Sequence, residues 1–155
     1  MANLVVNISE EVTLNGKVRG SENSLEISSV TQVLHRIVTC PANQDTTVAN
    51  FHAATNTSDN ALDVEDAKYI RVTNLDASNS INLSLQIDSA EDDSAAAESA
   101  TILVAGGRSF IMGAPSDGLA VSDANATIVT TLHNLESILV DPGSNAISVE
   151  VFIAS

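Results

Sequence analysis

The sequence predicts an all-β chain, folded as an antiparallel, jelly-roll-like β-sandwich of about eight or nine short strands. Three observations predict it. Short runs of Val, Ile, Leu and Thr recur at roughly even spacing, with Gly, Pro, Asn, Asp and Ser between them. In the clearest runs, Ile81, Leu83, Leu85 and Ile87 alternate with Asn82, Ser84 and Gln86, and Ile147, Val149, Val151 and Ile153 alternate with Ser148, Glu150 and Phe152. A period of two places each set on its own face of a strand. Helical periodicity is weak everywhere. The 155 residues suit a single domain over 1–155, with 1–19 read as an N-terminal arm or hairpin. A chain of this size buries roughly 70% of its unfolded surface, so its core needs no staples.

Leu4 to Ile8 reads as an edge strand or an arm. Val12 to Arg19 reads as a hairpin, because Asn15-Gly16 accepts the positive φ angles of a type I′ turn. Gly20 to Ser24 is expected as a loop and Leu25 to Ser28 as a short strand. Val33 to Thr39 is assigned to strand, with a turn of helix before it, and Pro41 ends it by withholding a ladder donor. Thr46 to Ala53 is a further strand. Ala54 to Asp66 is polar and loop-like, with Ala61 to Val64 paired at an edge. Tyr69 to Asn74 and Ile81 to Ile87 are joined by a run of small turn formers, Asp76-Ala-Ser-Asn-Ser, and are expected to form the central antiparallel pair. Asp88 to Ser99 suits a surface helix or an acidic loop. Thr101 to Val104 and Ser109 to Met112 are strands broken by Gly106-Gly107. Gly113 to Ala126 is a polar loop. Strands follow at Ala126 to His133, Ile138 to Val140 and Ala146 to Ala154, the last two separated by the turn Asp141-Pro-Gly-Ser.

Composition narrows the function classes. Aromatic residues make up 3% of the chain and Trp is absent, so aliphatic side chains must build the core. Against 20 acidic residues stand six Lys and Arg, a net charge of −14. Such a surface repels nucleic acid phosphates and anionic membranes, so neither is expected as a partner. No basic region followed by an apolar run opens the sequence, which reads as lacking a signal peptide. No apolar run reaches the length of a membrane span.

Candidate chemistry is sparse. The single cysteine, Cys40, excludes an intrachain disulfide and reads as a small buried hydrophobe rather than a reactive thiol. His35, five residues away, falls on the opposite face of a regular strand. His35, His52 and His133 lack metal-ligand spacing. The acidic clusters Asp59 to Asp66, Glu91 to Asp93 and Asp117 to Asp123 match no EF-hand pattern and read as solvated charge. Gly106-Gly107-Arg108-Ser109 lacks the second glycine and lysine of a phosphate loop and reads as a sharp bend. No Gly-x-Ser-x-Gly elbow occurs. No catalytic, cofactor-binding or metal-binding residue is assigned, and no cofactor is expected. The uncharged polar face of Asn82, Ser84 and Gln86, together with Leu4 and Val6 of the arm, is the candidate interface.

Four segments carry a resemblance. Ile8-Ser-Glu-Glu-Val-Thr-Leu-Asn-Gly-Lys, Tyr69-Ile-Arg-Val-Thr-Asn-Leu-Asp, Ala100-Thr-Ile-Leu-Val-Ala-Gly-Gly-Arg-Ser-Phe and Ile147-Ser-Val-Glu-Val-Phe-Ile-Ala resemble the small β-rich virion structural proteins of tailed phages of aquatic bacteria, cyanophages in particular. The resemblance implies a non-enzymatic capsid decoration (cement) protein that binds the outside of the capsid and stabilises it. It implies the major capsid protein as partner, a homotrimer as assembly, the capsid surface as location and the host cytoplasm during assembly. Neck, tail or fibre components are the alternative within that family. A carbohydrate- or calcium-binding module is the alternative outside it. None of the matching segments carries a catalytic signature, and no functional residue transfers.

Overall fold

The computed structural model describes residues 2–52, 62–88, 98–113, 115–121 and 128–155. Its described residues form thirteen strands: β1 Ala2–Ser9, β2 Val12–Leu14, β3 Lys17–Arg19, β4 Glu22–Val30, β5 Val33–Cys40, β6 Thr46–His52, β7 Leu62–Asp63, β8 Tyr69–Asn74, β9 Ile81–Asp88, β10 Glu98–Val104, β11 Ser109–Met112, β12 Asn134–Asp141 and β13 Ile147–Ala154. A five-stranded sheet runs β10-β9-β12-β6-β7 and a four-stranded sheet runs β11-β8-β13-β5. Two small ladders, β1-β4 and β2-β3, complete the set. The pairings are antiparallel except β6 with β7, where Phe51 and His52 run parallel to Leu62 and Asp63.

One core joins the two larger sheets. Val48, Phe51, Ile81, Leu83, Leu85, Leu135, Ile138 and Val140 come from the first. Cys40, Ile70, Val72, Ile147, Val149, Val151 and Ile153 come from the second. The alternation seen in the sequence is what places them there. Along β13 the burial pattern switches at every residue up to Ile153, and along β9 Ile81, Leu83, Leu85 and Ile87 are buried while Asn82 is exposed.

Four expectations are corrected. The jelly-roll-like sandwich of about eight or nine strands does not form: the sheets are open, and thirteen strands build them. The difference arises chiefly because the first thirty residues commit four strands to pairing with one another instead of extending the body. The second correction concerns Tyr69–Asn74 and Ile81–Ile87, which are not partners. β8 lies in the four-stranded sheet and β9 in the five-stranded sheet, so the polar run between them crosses from one sheet to the other. The carboxylate of Asp76 accepts the backbone N–H groups of Ser78 (2.7 Å) and Asn79 (2.6 Å). Its pKa is held below the ordinary carboxylate range by those bonds, that of Asn79 being the largest cause. Buried Asn74 donates to the carbonyls of Asn79 (2.8 Å) and Val104 (3.1 Å), pinning the arch. A turn-forming composition is shared by hairpins and arches, so the composition alone did not separate them.

Third, the expected strand Ala126 to His133 is absent from its described part. Residues 128–132 are irregular, and His133 makes an isolated bridge to Leu119. Fourth, no helical turn precedes β5. The edge pairing expected at Ala61 to Val64 is present as β7. Gly106-Gly107 forms the bend between β10 and β11, where a Cβ on Gly106 would lie 2.7 Å from the backbone of Ala77. Most of the expected acidic helix or loop over Asp88 to Ser99, with its cluster Glu91 to Asp93, lies outside the described residues, and Glu98 and Ser99 open β10; of the cluster Asp59 to Asp66, Asp63 lies in β7 and Glu65 and Asp66 are exposed on the turn that follows it.

Candidate interaction site

The segment from Ala2 to Val30 is one long hairpin. β1 pairs with β4 from Leu4↔Ile27 to Ser9↔Glu22, and the same register continues through Val12↔Arg19 to Leu14↔Lys17. Asn15 (φ 52°) and Gly16 (φ 73°) make the turn, as the Asn-Gly dipeptide predicts. Gly20 permits the strands to approach at their neck. Its φ is 155°, and a Cβ there would sit 1.7 Å from the carbonyl oxygen of Glu10. Every residue from Ile8 to Glu26 is exposed, so the distal hairpin projects from the body.

The root is fixed. Leu4, Val6, Ile27 and Val30 pack with Tyr69, Phe152 and Ala154 on the outer face of the four-stranded sheet. Thr31 and Gln32 donate their N–H groups to the carbonyl of Ser155 (2.6 and 3.1 Å), and Lys68 Nζ donates to the carbonyl of Ser29 (2.8 Å). Between hairpin and sheet lies an open apolar cleft of about 200 Å³, lined by Ile8, Leu25, Ile27, Tyr69, Ile111 and Met112, with Lys68 at its rim.

Beside the root, a polar stripe crosses the same sheet face. His35 Nε2 on β5 lies 2.8 Å from Glu150 Oε1 on β13, and Arg71 Nη1 on β8 donates to Glu150 Oε2 at 2.7 Å. The same guanidinium bonds Thr73, whose hydroxyl meets Ser109 on β11 at 2.8 Å. Arg71, and then His35, hold Glu150 below the ordinary carboxylate range. The stripe therefore ties all four strands edge to edge. The sequence carried its signal: Arg71 and Glu150 are the one charged residue in each of two otherwise uncharged strands.

The residues assigned to an interface separate into two places. Leu4 and Val6 are half-buried in the hairpin root. Asn82, Ser84 and Gln86 lie on the outer face of the five-stranded sheet, where they line a shallow depression with Asp45, Thr101, Leu139 and Asp141. Gln86 donates to Ser84 at 2.8 Å, and Asn82 reaches Asp141 at 3.4 Å. Cys40 is buried in the core, and burial pushes its thiol pKa up, which keeps it protonated near neutrality. Among the described residues no three His, Cys, Asp or Glu side chains converge as metal ligands.

No protein-family model matches the chain, and no curated protein matches it. Among solved structures, the chain is similar to one described under "Bacillus endospore appendages form a novel family of disulfide-linked pili", at 14% identity and a TM-score of 0.38, over 82% of this chain and 88% of that one.

Proposed function

We propose that this chain is a non-enzymatic structural subunit of a phage virion, a decoration protein that binds the outside of the capsid and stiffens it. The observation that carries the reading is the projecting hairpin. It exposes Val12, Leu14 and Val18 at its tip, Val18 at 68%, on an arm anchored to a close-packed body. Apolar side chains held out on an ordered arm are costly to leave in water and gain by meeting another protein. The sequence resemblance supplies the setting, the major capsid protein as partner and assembly as a homotrimer. The polar stripe serves such a role as well, because its charges are engaged with one another and brace the sheet that carries the arm.

Quantitative mass spectrometry of purified virions tests the proposal. Hundreds of copies per particle, lost together with capsid stability on mild treatment, are expected. About a dozen copies would replace it with a neck, tail or fibre role, and absence from particles would overturn it.

A further inference from the structure

We propose that the hairpin tip of one copy seats on the outer face of the five-stranded sheet of a second copy, with Lys17 and Arg19 facing Asp45 and Asp141. The inference rests on the reading of the chain as an assembly subunit, and it names the neighbour and the receiving surface. Charge distribution argues it first. Val12 to Arg19 contains two of the six Lys and Arg and no carboxylate, which leaves four cations against 20 acidic residues in the rest of the chain. The ion pairs among the described residues join His35 and Arg71 to Glu150, so neither tip cation pairs with a carboxylate of the described residues of its own copy. In a protein this acidic, the surface most available to a cationic tip is that of another copy.

The pattern within the tip sharpens the match. The pairs Val12↔Arg19 and Leu14↔Lys17 share one face of the ladder, while Thr13 and Val18 share the other. One face of the tip thus carries two aliphatic side chains and two cations. The depression offers the complement. Asp45 and Asp141 flank it, Leu139 lines it, and Leu103, opposite Asn82 across the β9-β10 ladder, is 66% exposed beside it. Asn82, Ser84, Gln86 and Thr101 supply uncharged hydrogen-bonding groups between them. The apolar cleft beneath the hairpin is a poorer receiver, because Lys68 and Arg71 border that face. Tip and depression are different patches, so the contact is heterologous and closes copies into a ring, a trimer being one solution, or runs on as an open chain.

A charge-swap experiment on the full chain, followed by analytical ultracentrifugation at low salt, tests the contact. The wild type self-associates. K17E/R19E and D45K/D141K each weaken association by at least about tenfold, and an equimolar mixture of the two restores it. The milder pair K17Q/R19Q and D45N/D141N guards against misfolding, since an Asn at 141 keeps the acceptor for the Gly143 N–H (2.7 Å); both weaken association without changing the circular dichroism spectrum. A wild type that stays monomeric, or a mixture that stays monomeric, overturns the contact. So does a D45K/D141K variant that associates like wild type, which would direct the tip to the neck glutamates Glu10, Glu11 and Glu22 of a neighbour. A chain abundant in virions whose self-association ignores these charges overturns this contact and leaves the structural role standing. A working charge swap in a chain absent from virions does the reverse.

Discussion

Two side chains do more than their positions in the sequence advertise. Glu150 accepts from Arg71 and His35 and joins the strands between them. Its carboxylate is lowered in the fold and returns to the ordinary range on unfolding. The stability it contributes is therefore complete above the ordinary glutamate value and drains away as pH falls through the lowered one. Urea midpoints measured across acid pH should show this limb, and Glu150→Gln should flatten it while leaving the limb due to other carboxylates. Asn74 is the second case. It is fully buried, donates to two carbonyls and accepts the N–H of Asp76 at 3.0 Å. Asn74→Ala leaves those groups without their partner and should cost about 1–3 kcal/mol by urea denaturation. The sequence hinted at Glu150 by setting one charge among aliphatic residues. It did not hint at Asn74, because an asparagine closing a strand looks the same whether it turns to water or spans two sheets.

At the scale of elements, local signals were legible and partnerships were not. Asn15-Gly16 announced its turn, and the alternation in β9 and β13 announced their buried faces, because both depend on neighbours within a few residues. The partner of β8 is not legible in the sequence, because two adjacent strands with a short polar connection satisfy a hairpin and an arch equally. What decided between them was Asn74 bonding to Val104, thirty residues away. The hairpin was expected to end near Arg19, yet β4 extends its second strand to Val30. Gly20 is the position on which that extension turns. Gly20→Ala forces a Cβ into the Glu10 carbonyl and should destabilise the neck by about 1–3 kcal/mol. Amide hydrogen exchange should report it as faster exchange confined to Ser9 through Glu22, with the thermal midpoint of the body nearly unchanged.

For the molecule as a whole, two properties pull in opposite directions. The shared aliphatic core holds the body, and Leu83→Ala in its centre should cost about 2–5 kcal/mol of stability by urea denaturation. The net charge of −14 strains the same body by self-repulsion. Raising salt from about 10 mM to about 1 M shortens the screening length from about 30 Å to about 3 Å. The melting temperature should rise over that range while self-association through Lys17 and Arg19 weakens. Differential scanning fluorimetry and sedimentation on the same samples would separate the two responses. Composition made the acidity plain; only the folded chain shows that two of the six exceptions to it, Lys17 and Arg19, stand together on one face at the end of an arm.

The position of β13 has a kinetic consequence. It lies between β5 and β8, pairing Cys40 with Ile147 on one side and Val72 with Val151 on the other. β5 has no partner in the sheet, and β8 has only β11, until residues 147–154 have been synthesised. Closing so distant a pairing is slow, whereas the hairpin joins residues close in the chain and can form on the microsecond scale. On the ribosome the arm is ready before the body can close, and β13, made after both of its neighbours, is the strand that locks the four-stranded sheet.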